Sequence, residues 1–287
     1  MSAFDSLTAI LRDPPPEFAF EISAAGIAMS RTKPPATVQF QPLEPGALSP
    51  SPVKENVLDA DAFAEAVRKL VPSASNRRRR AAALILPDQA VRIAILDFET
   101  LPEKEEERQS LIRFRMRKTL PFDIDEAAVS YHVQPGNKVI VAVAPVEIIS
   151  RYEAPFRAAN LHPGFVTCGS MALLELLPVA GSVLAAHQGA GSLSLLGLRD
   201  GVLTLARTLE IDHSASLADD LYPTLVYLED QTGHRPERLI LIGSTPGLSA
   251  EDLSTELKLP IEVIPDDHAP LTGYLRSVDP VAQKAAA

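Results

Sequence analysis

Residues 83–133 read ALILPDQAVRIAILDFETLPEKEEERQSLIRFRMRKTLPFDIDEAAVSYHV, and the order of their segments decides the fold. The apolar run that begins at Ala81 and ends at Leu86 suits a buried strand stopped by Pro87. VRIAILDFE, residues 91–99, alternates as a second strand would. The acidic run Glu103–Glu107 then opens a helix predicted over 104–119, which turns basic from Arg113 to Lys118, the charge order that a helix dipole favours. Pro121 stops it. VSYHV and KVIVAVA follow as a hairpin about the turn Pro135-Gly136-Asn137.

Outward from this stretch, FAFEISAAGIAM (18–29) reads as two short strands joined at Ser23–Gly26. Residues 32–52 hold six prolines and form a loop or a sheet edge. Asp59 caps a helix that ends near Val71, and VEIISRYEAPFRAAN (146–160) forms another. The second half repeats the pattern. Strands SLSLLGL and VLTLARTLEI flank Asp200-Gly201, and a helix through Leu221–Leu228, the strand RLILIGS, the helix EDLSTELKL and the strand IEVI follow. Strands clustered before helices, twice over, predict two related α/β halves. The expected organisation is a leader at 1–16, a first domain at 17–175, a second domain at 176–276, and a flexible tail at 277–287.

With 287 residues, 46% hydrophobic and 22% charged, the chain can close a core without staples. Its net charge of −10 is uneven: residues 1–150 carry 18 basic and 20 acidic side chains, residues 151–287 carry 9 and 17. That balance disfavours binding to nucleic acid or anionic lipid, and Arg77–Arg80 read as a solvated edge. The single cysteine, Cys168, excludes an internal disulfide and reads as buried. Six histidines without paired spacing give no metal site, and His268 beside Asp266 and Asp267 reads as a polar loop. No apolar stretch reaches the length of a membrane helix and no signal peptide opens the sequence, so a cytoplasmic protein is expected.

The order of segments over 17–275 resembles the actin-like ATPase superfamily, and within it the PilM family of type IV pilus assembly, with FtsA and the GspL cytoplasmic domain as kin. Leu120-Pro121-Phe122-Asp123-Ile124-Asp125-Glu126 looks like that family's "IPFPLEEV" turn, RDGVLTLARTLEI like its "RNGRLVFTREI" hairpin, and LILIGSTPGLSAEDLSTELKLPIEVI like its adenosine-side segment. The resemblance implies an actin-like (ribonuclease H-like) α/β fold, a two-domain duplication with a small inserted α+β subdomain at about 88–145 of the first domain. It also implies a nucleotide site between the halves, made of two glycine-hydroxyl hairpins, a carboxylate in each, and a glycine turn against adenosine.

This sequence departs from that site. The family's "DIGSSSVK" falls on Glu21 to Ala28, leaving Glu21 for the aspartate and Ser23 as the remaining hydroxyl. "DIGASTTTL" falls on His187 to Leu195, with His187 in place of the metal-side aspartate while Gly189 and Ser192 are kept. The adenosine turn keeps Gly243, followed by Ser244 and then Gly247. Glycines let backbone N–H groups approach phosphate and carboxylates hold Mg²⁺ through water, so losing several such groups disfavours ATP and Mg²⁺ and predicts a pseudo-ATPase with no catalytic residue and no metal. By the same resemblance the activity is binding. The chain would hold the cytoplasmic tail of a PilN-like inner-membrane protein, with Arg117, Lys118, Leu120, Pro121 and Phe122 as candidate walls. It would then lie peripherally at the inner membrane, link the alignment complex to a pilus motor ATPase and serve twitching motility. A GspL-like type II secretion component, expected to carry a membrane helix after the actin-like part, and an active FtsA-like ATPase are the alternatives.

Overall fold

Two five-stranded sheets carry the molecule, and they have the same construction. The computed structural model describes residues 15–34, 37–72, 80–211, 216–243 and 249–279. Most of the predicted leader and tail, Arg77 to Arg79, Ser244 and Gly247 lie outside the described residues.

In the first sheet β1 (Phe18–Ser23), β2 (Gly26–Arg31) and β3 (Gln39–Pro42) run antiparallel, while β4 (Arg80–Leu86) and β8 (Leu161–Cys168) add in parallel, in the order β3-β2-β1-β4-β8. In the second, β9 (Ser182–Gly189), β10 (Ser192–Arg199) and β11 (Val202–Glu210) form the antiparallel part, and β12 (Arg238–Ile242) and β13 (Ile261–Ile264) the parallel part, in the order β11-β10-β9-β12-β13. Strand for strand, the second sheet repeats the first. The proline-rich stretch supplies β3, an outer strand, where a missing N–H is tolerated.

Helices cover these sheets where the sequence supplies an apolar stripe. Helix α1 (Ala60–Leu70) begins where the Asp59 carboxylate accepts the Ala62 N–H, and it buries Phe63, Ala66, Val67 and Leu70 on the first sheet beside Ile148, Tyr152 and Phe156 of a later helix. On the second sheet, α5 (Leu217–Thr232) opens with a capping box in which Ser216 and Asp219 satisfy one another's backbone N–H groups. It packs Leu221, Leu225 and Leu228 with Leu253 and Leu257 of α6 (Ala250–Leu257).

Between β4 and β8 in the chain stands the insert: β5 (Arg92–Asp97), α2 (Glu105–Arg117), β6 (Ala127–Gln134) and β7 (Lys138–Pro145), with α3 (Val146–Ala158) leading back to the first sheet. Its sheet runs β5-β7-β6. Val139, Val141 and Val143 face Ile112 and Met116 of α2, whereas Ile140 on the opposite face joins Leu173, Leu177 and Val183 near the second sheet. Gln134 fastens that contact, donating to the Leu203 carbonyl at 3.0 Å and accepting the Leu203 N–H at 2.8 Å. Two further helices join the halves: α4 (Gly169–Leu173) after β8, and α7 (Ala269–Ser277) after β13. Leu271 and Tyr274 of α7 pack with Ala19, Ala83 and Ile85 of the first sheet. The sequence reading had no helix there, because Gly273 and Pro270 interrupt a short apolar pattern.

Candidate functional site

Four strands end at one cleft. The β1–β2 turn, the residues after β4, the β9–β10 turn and the segment between β13 and α7 line a cavity of about 330 Å³, at the carboxyl ends of parallel strands where α/β sheets hold ligands. Glu21, Ser23, His187, Gly189 and Ser192, far apart in sequence, all line it. Gly243 sits just behind, at φ +99°, with Gln188 O only 3.2 Å from where a side chain would begin.

Glu21, partly buried near the end of β1, accepts the Leu271 N–H of α7 at 3.1 Å. Burial raises its pKa to about 8; the Leu271 N–H opposes that shift, and the nearby charges of Asp266 and Asp88 add to it. Burial likewise holds the His187 imidazole below its usual value, against the pull of Asp88 and Asp266. Both shifts favour the uncharged form of the side chain.

Asp88 is the residue that sequence reasoning missed. It follows β4, is buried, and accepts the Ser170 N–H at 2.7 Å, the Ser170 hydroxyl at 2.7 Å and, from β10 of the other half, the Ser194 hydroxyl at 2.5 Å. One carboxylate thus ties β4, α4 and the second sheet together. The signal was present in LILPDQ, an acid placed directly after a wholly apolar strand. His268, expected in a plain polar loop, precedes α7, lines the cleft and lies 5.3 Å from the Phe40 ring.

Among the described residues the cleft lining carries Glu21, Asp88 and Asp267 and no lysine or arginine. Asp88 already accepts three hydrogen bonds. Among the described residues no group of three His, Cys, Asp or Glu side chains is placed to hold a metal.

Glu21→Gln tests the protonation. A raised carboxyl pKa means that the folded chain holds a proton the unfolded chain releases, so stability falls as pH rises from the unfolded value through about 8. The depressed His187 works the other way, but only up to its ordinary pKa, which leaves the window between about pH 7 and 8 to Glu21. The substituted amide keeps an acceptor for the Leu271 N–H and cannot ionise. The variant is expected to match the wild type near pH 5 and to melt higher at pH 8. Parallel melting curves across that range would contradict the assignment.

A second depression lies between the insert and the first sheet. It has a volume of about 340 Å³ and is lined by Ala128 to His132 of β6 and Phe165 to Cys168 of β8. Consecutive residues of β6 and β8 line its two sides, as strand edges do, and the alternating Ile140, Ala142 and Ala144 of the β7 face form its floor. β6 pairs only with β7, and β8 only with β4. The candidate wall residues Arg117 to Phe122 do not line this depression. Arg117 pairs with Asp125 at 2.8 Å, Lys118 lies over the Phe114 ring, Leu120 and Phe122 pack on the α2 side of the insert, and Pro121 is exposed.

No family model matches the chain, and no curated protein matches it. Among solved structures, a chain of the PilM–PilN type IV pilus biogenesis complex is 21% identical, with a TM-score of 0.75 over 93% of this chain and 100% of that one. The cytoplasmic domain of EpsL, an inner-membrane component of the type II secretion system of Vibrio cholerae, is 11% identical, with a TM-score of 0.58 over 91% and 93%. A Bacteroides thetaiotaomicron protein of actin-like ATPase fold is 14% identical, with a TM-score of 0.56 over 96% and 98%. The duplicated sheets, the cleft between them and these similarities together give the chain the actin-like ATPase fold.

Proposed function

We propose that this chain is a PilM-like scaffold that holds an extended peptide, the cytoplasmic tail of a PilN-like inner-membrane protein, in the groove between β6 and β8, without ATP turnover. The observation that carries the reading is the pair of strand edges facing one apolar groove, since an extended segment can add to either edge by main-chain hydrogen bonds and place alternate side chains among Ala128, Ala142 and Val166. Likeness to a protein of the PilM–PilN complex supports the partner class. The shifts of Glu21 and His187 toward the uncharged form support the loss of ATPase activity. In this role the protein works on the cytoplasmic side, reaches the membrane through its partner and connects an alignment complex to a pilus motor ATPase. No helix among the described residues is long and apolar enough to cross a membrane.

The test is titration of a synthetic PilN-like tail peptide against the purified chain. Saturable binding is expected, and Ala128→Arg, which fills the groove from an exposed position, should weaken it about tenfold or more, a change of roughly 1.4 kcal/mol. Lys118→Ala, on the other side of the insert, should leave it unchanged. Absence of binding at hundreds of micromolar would reject the reading, and micromolar Mg²⁺-dependent binding of ATP by calorimetry would reject its non-hydrolysing half.

A further inference from the structure

The outward face of α5 exposes Tyr222, Pro223, Val226 and Tyr227 at helical spacing, so that three large apolar side chains are 59%, 40% and 50% exposed on one stripe. The opposite face of the helix is already spent on the core of the second sheet. Charges frame the stripe on one side of the balance only. Helix α5 contributes four carboxylates and its neighbour α6 three, and neither contains a lysine or arginine. Glu229 and Asp230 stand in the C-terminal part of α5, where the helix dipole disfavours anions, and the last turn has no basic residue to offset them. Local helix stability does not explain that placement; an incoming cation would relieve it.

We infer that the α5 face is a docking surface for a basic protein segment that brings apolar anchors between arginines. The tyrosine rings and Val226 would take the anchors, arginine guanidinium groups would stack on the rings, and the flanking carboxylates would pair with the charges. Nucleic acid and anionic lipid are repelled by the same carboxylates. Helix α2 of a second copy is a poor donor. It has Arg117 paired with Asp125, Arg113 donating to the Ile124 carbonyl and Arg115 over the Phe98 ring. The surface belongs to the second sheet, apart from the peptide groove, so the two occupants do not compete.

The probe is a fluorescent synthetic amphipathic Leu/Arg helix as long as α5, compared with a scrambled peptide of the same composition. The amphipathic peptide is expected to bind the full chain at least tenfold more tightly than the scrambled one. The double variant Tyr222→Ser/Tyr227→Ser should abolish that difference, with melting temperature unchanged, and Glu229→Gln/Asp230→Asn should weaken binding and flatten its salt dependence. Equal binding of both peptides, or undiminished binding by the tyrosine variant, overturns the inference. So does sedimentation showing that the chain alone associates through Tyr222 and Tyr227, which would give the face to a second copy. Loss of tail-peptide binding at the groove leaves this result untouched, so the two proposals fail separately.

Discussion

Asp88→Ala is expected to lower stability by about 3–5 kcal/mol, because it strands a buried N–H and two buried hydroxyls at the cleft wall. At roughly 2–4 °C per kcal/mol for a chain of this size, the melting temperature should fall by about 10 °C. Asp88→Asn keeps one acceptor, and both serine hydroxyls can turn to accept from its amide, so its loss should be roughly half as large. Thermal unfolding followed by circular dichroism measures both. An alanine variant melting within a degree or two of the wild type would mean that Asp88 does not tie the halves together. The same substitution should also widen the cleft, since the Ser194 bond is the part of the network that crosses it.

The second large effect is expected at Gly273. A methyl group there would begin 2.1 Å from the Ala172 carbonyl oxygen and 2.9 Å from its carbon, so α7 would have to move away from α4. Alanine in place of glycine gains about 1 kcal/mol in helix propensity, but the forced separation of two backbones costs roughly 3 kcal/mol, and the net effect is destabilising. Because α7 presents the Leu271 N–H to Glu21, the displacement should also remove the opposing influence on that carboxyl and steepen the fall of stability above pH 7. Comparison of melting temperatures at pH 6 and pH 8 reads both consequences. A Gly273→Ala variant more stable than the wild type would show that the helices slide apart without penalty.

Much of the fold was legible because the local signals agreed with the tertiary outcome. The strand predicted at 91–99 is observed at Arg92–Asp97, and the helix predicted at 104–119 at Glu105–Arg117, where acidic and basic ends match the dipole. Asp59 caps the helix it was expected to cap. The cleft was legible in part. Alignment on two hairpins named Glu21, Ser23, His187, Gly189 and Ser192, and they converge. Asp88 was missed because a carboxylate after a proline reads as a turn until its three partners, contributed by residues 170 and 194, are folded against it. The groove between β6 and β8 gave no such signal. Leu120 and Phe122 look like a pocket in sequence, but they pack with Ile112 and Met116 of α2. No local pattern announces which edge of a sheet will be left without a neighbour.

The side-chain amide of Gln134 replaces, for Leu203, the partner strand that β11 lacks on that side. Excising residues 92–145 to obtain a minimal two-lobed protein would therefore bare a peptide group and the apolar patch around Leu177 and Leu198 at once. The insert is a keystone of the second lobe as much as an ornament of the first, and shortened versions of this architecture will need a compensating polar clip at Leu203 before they stay in solution.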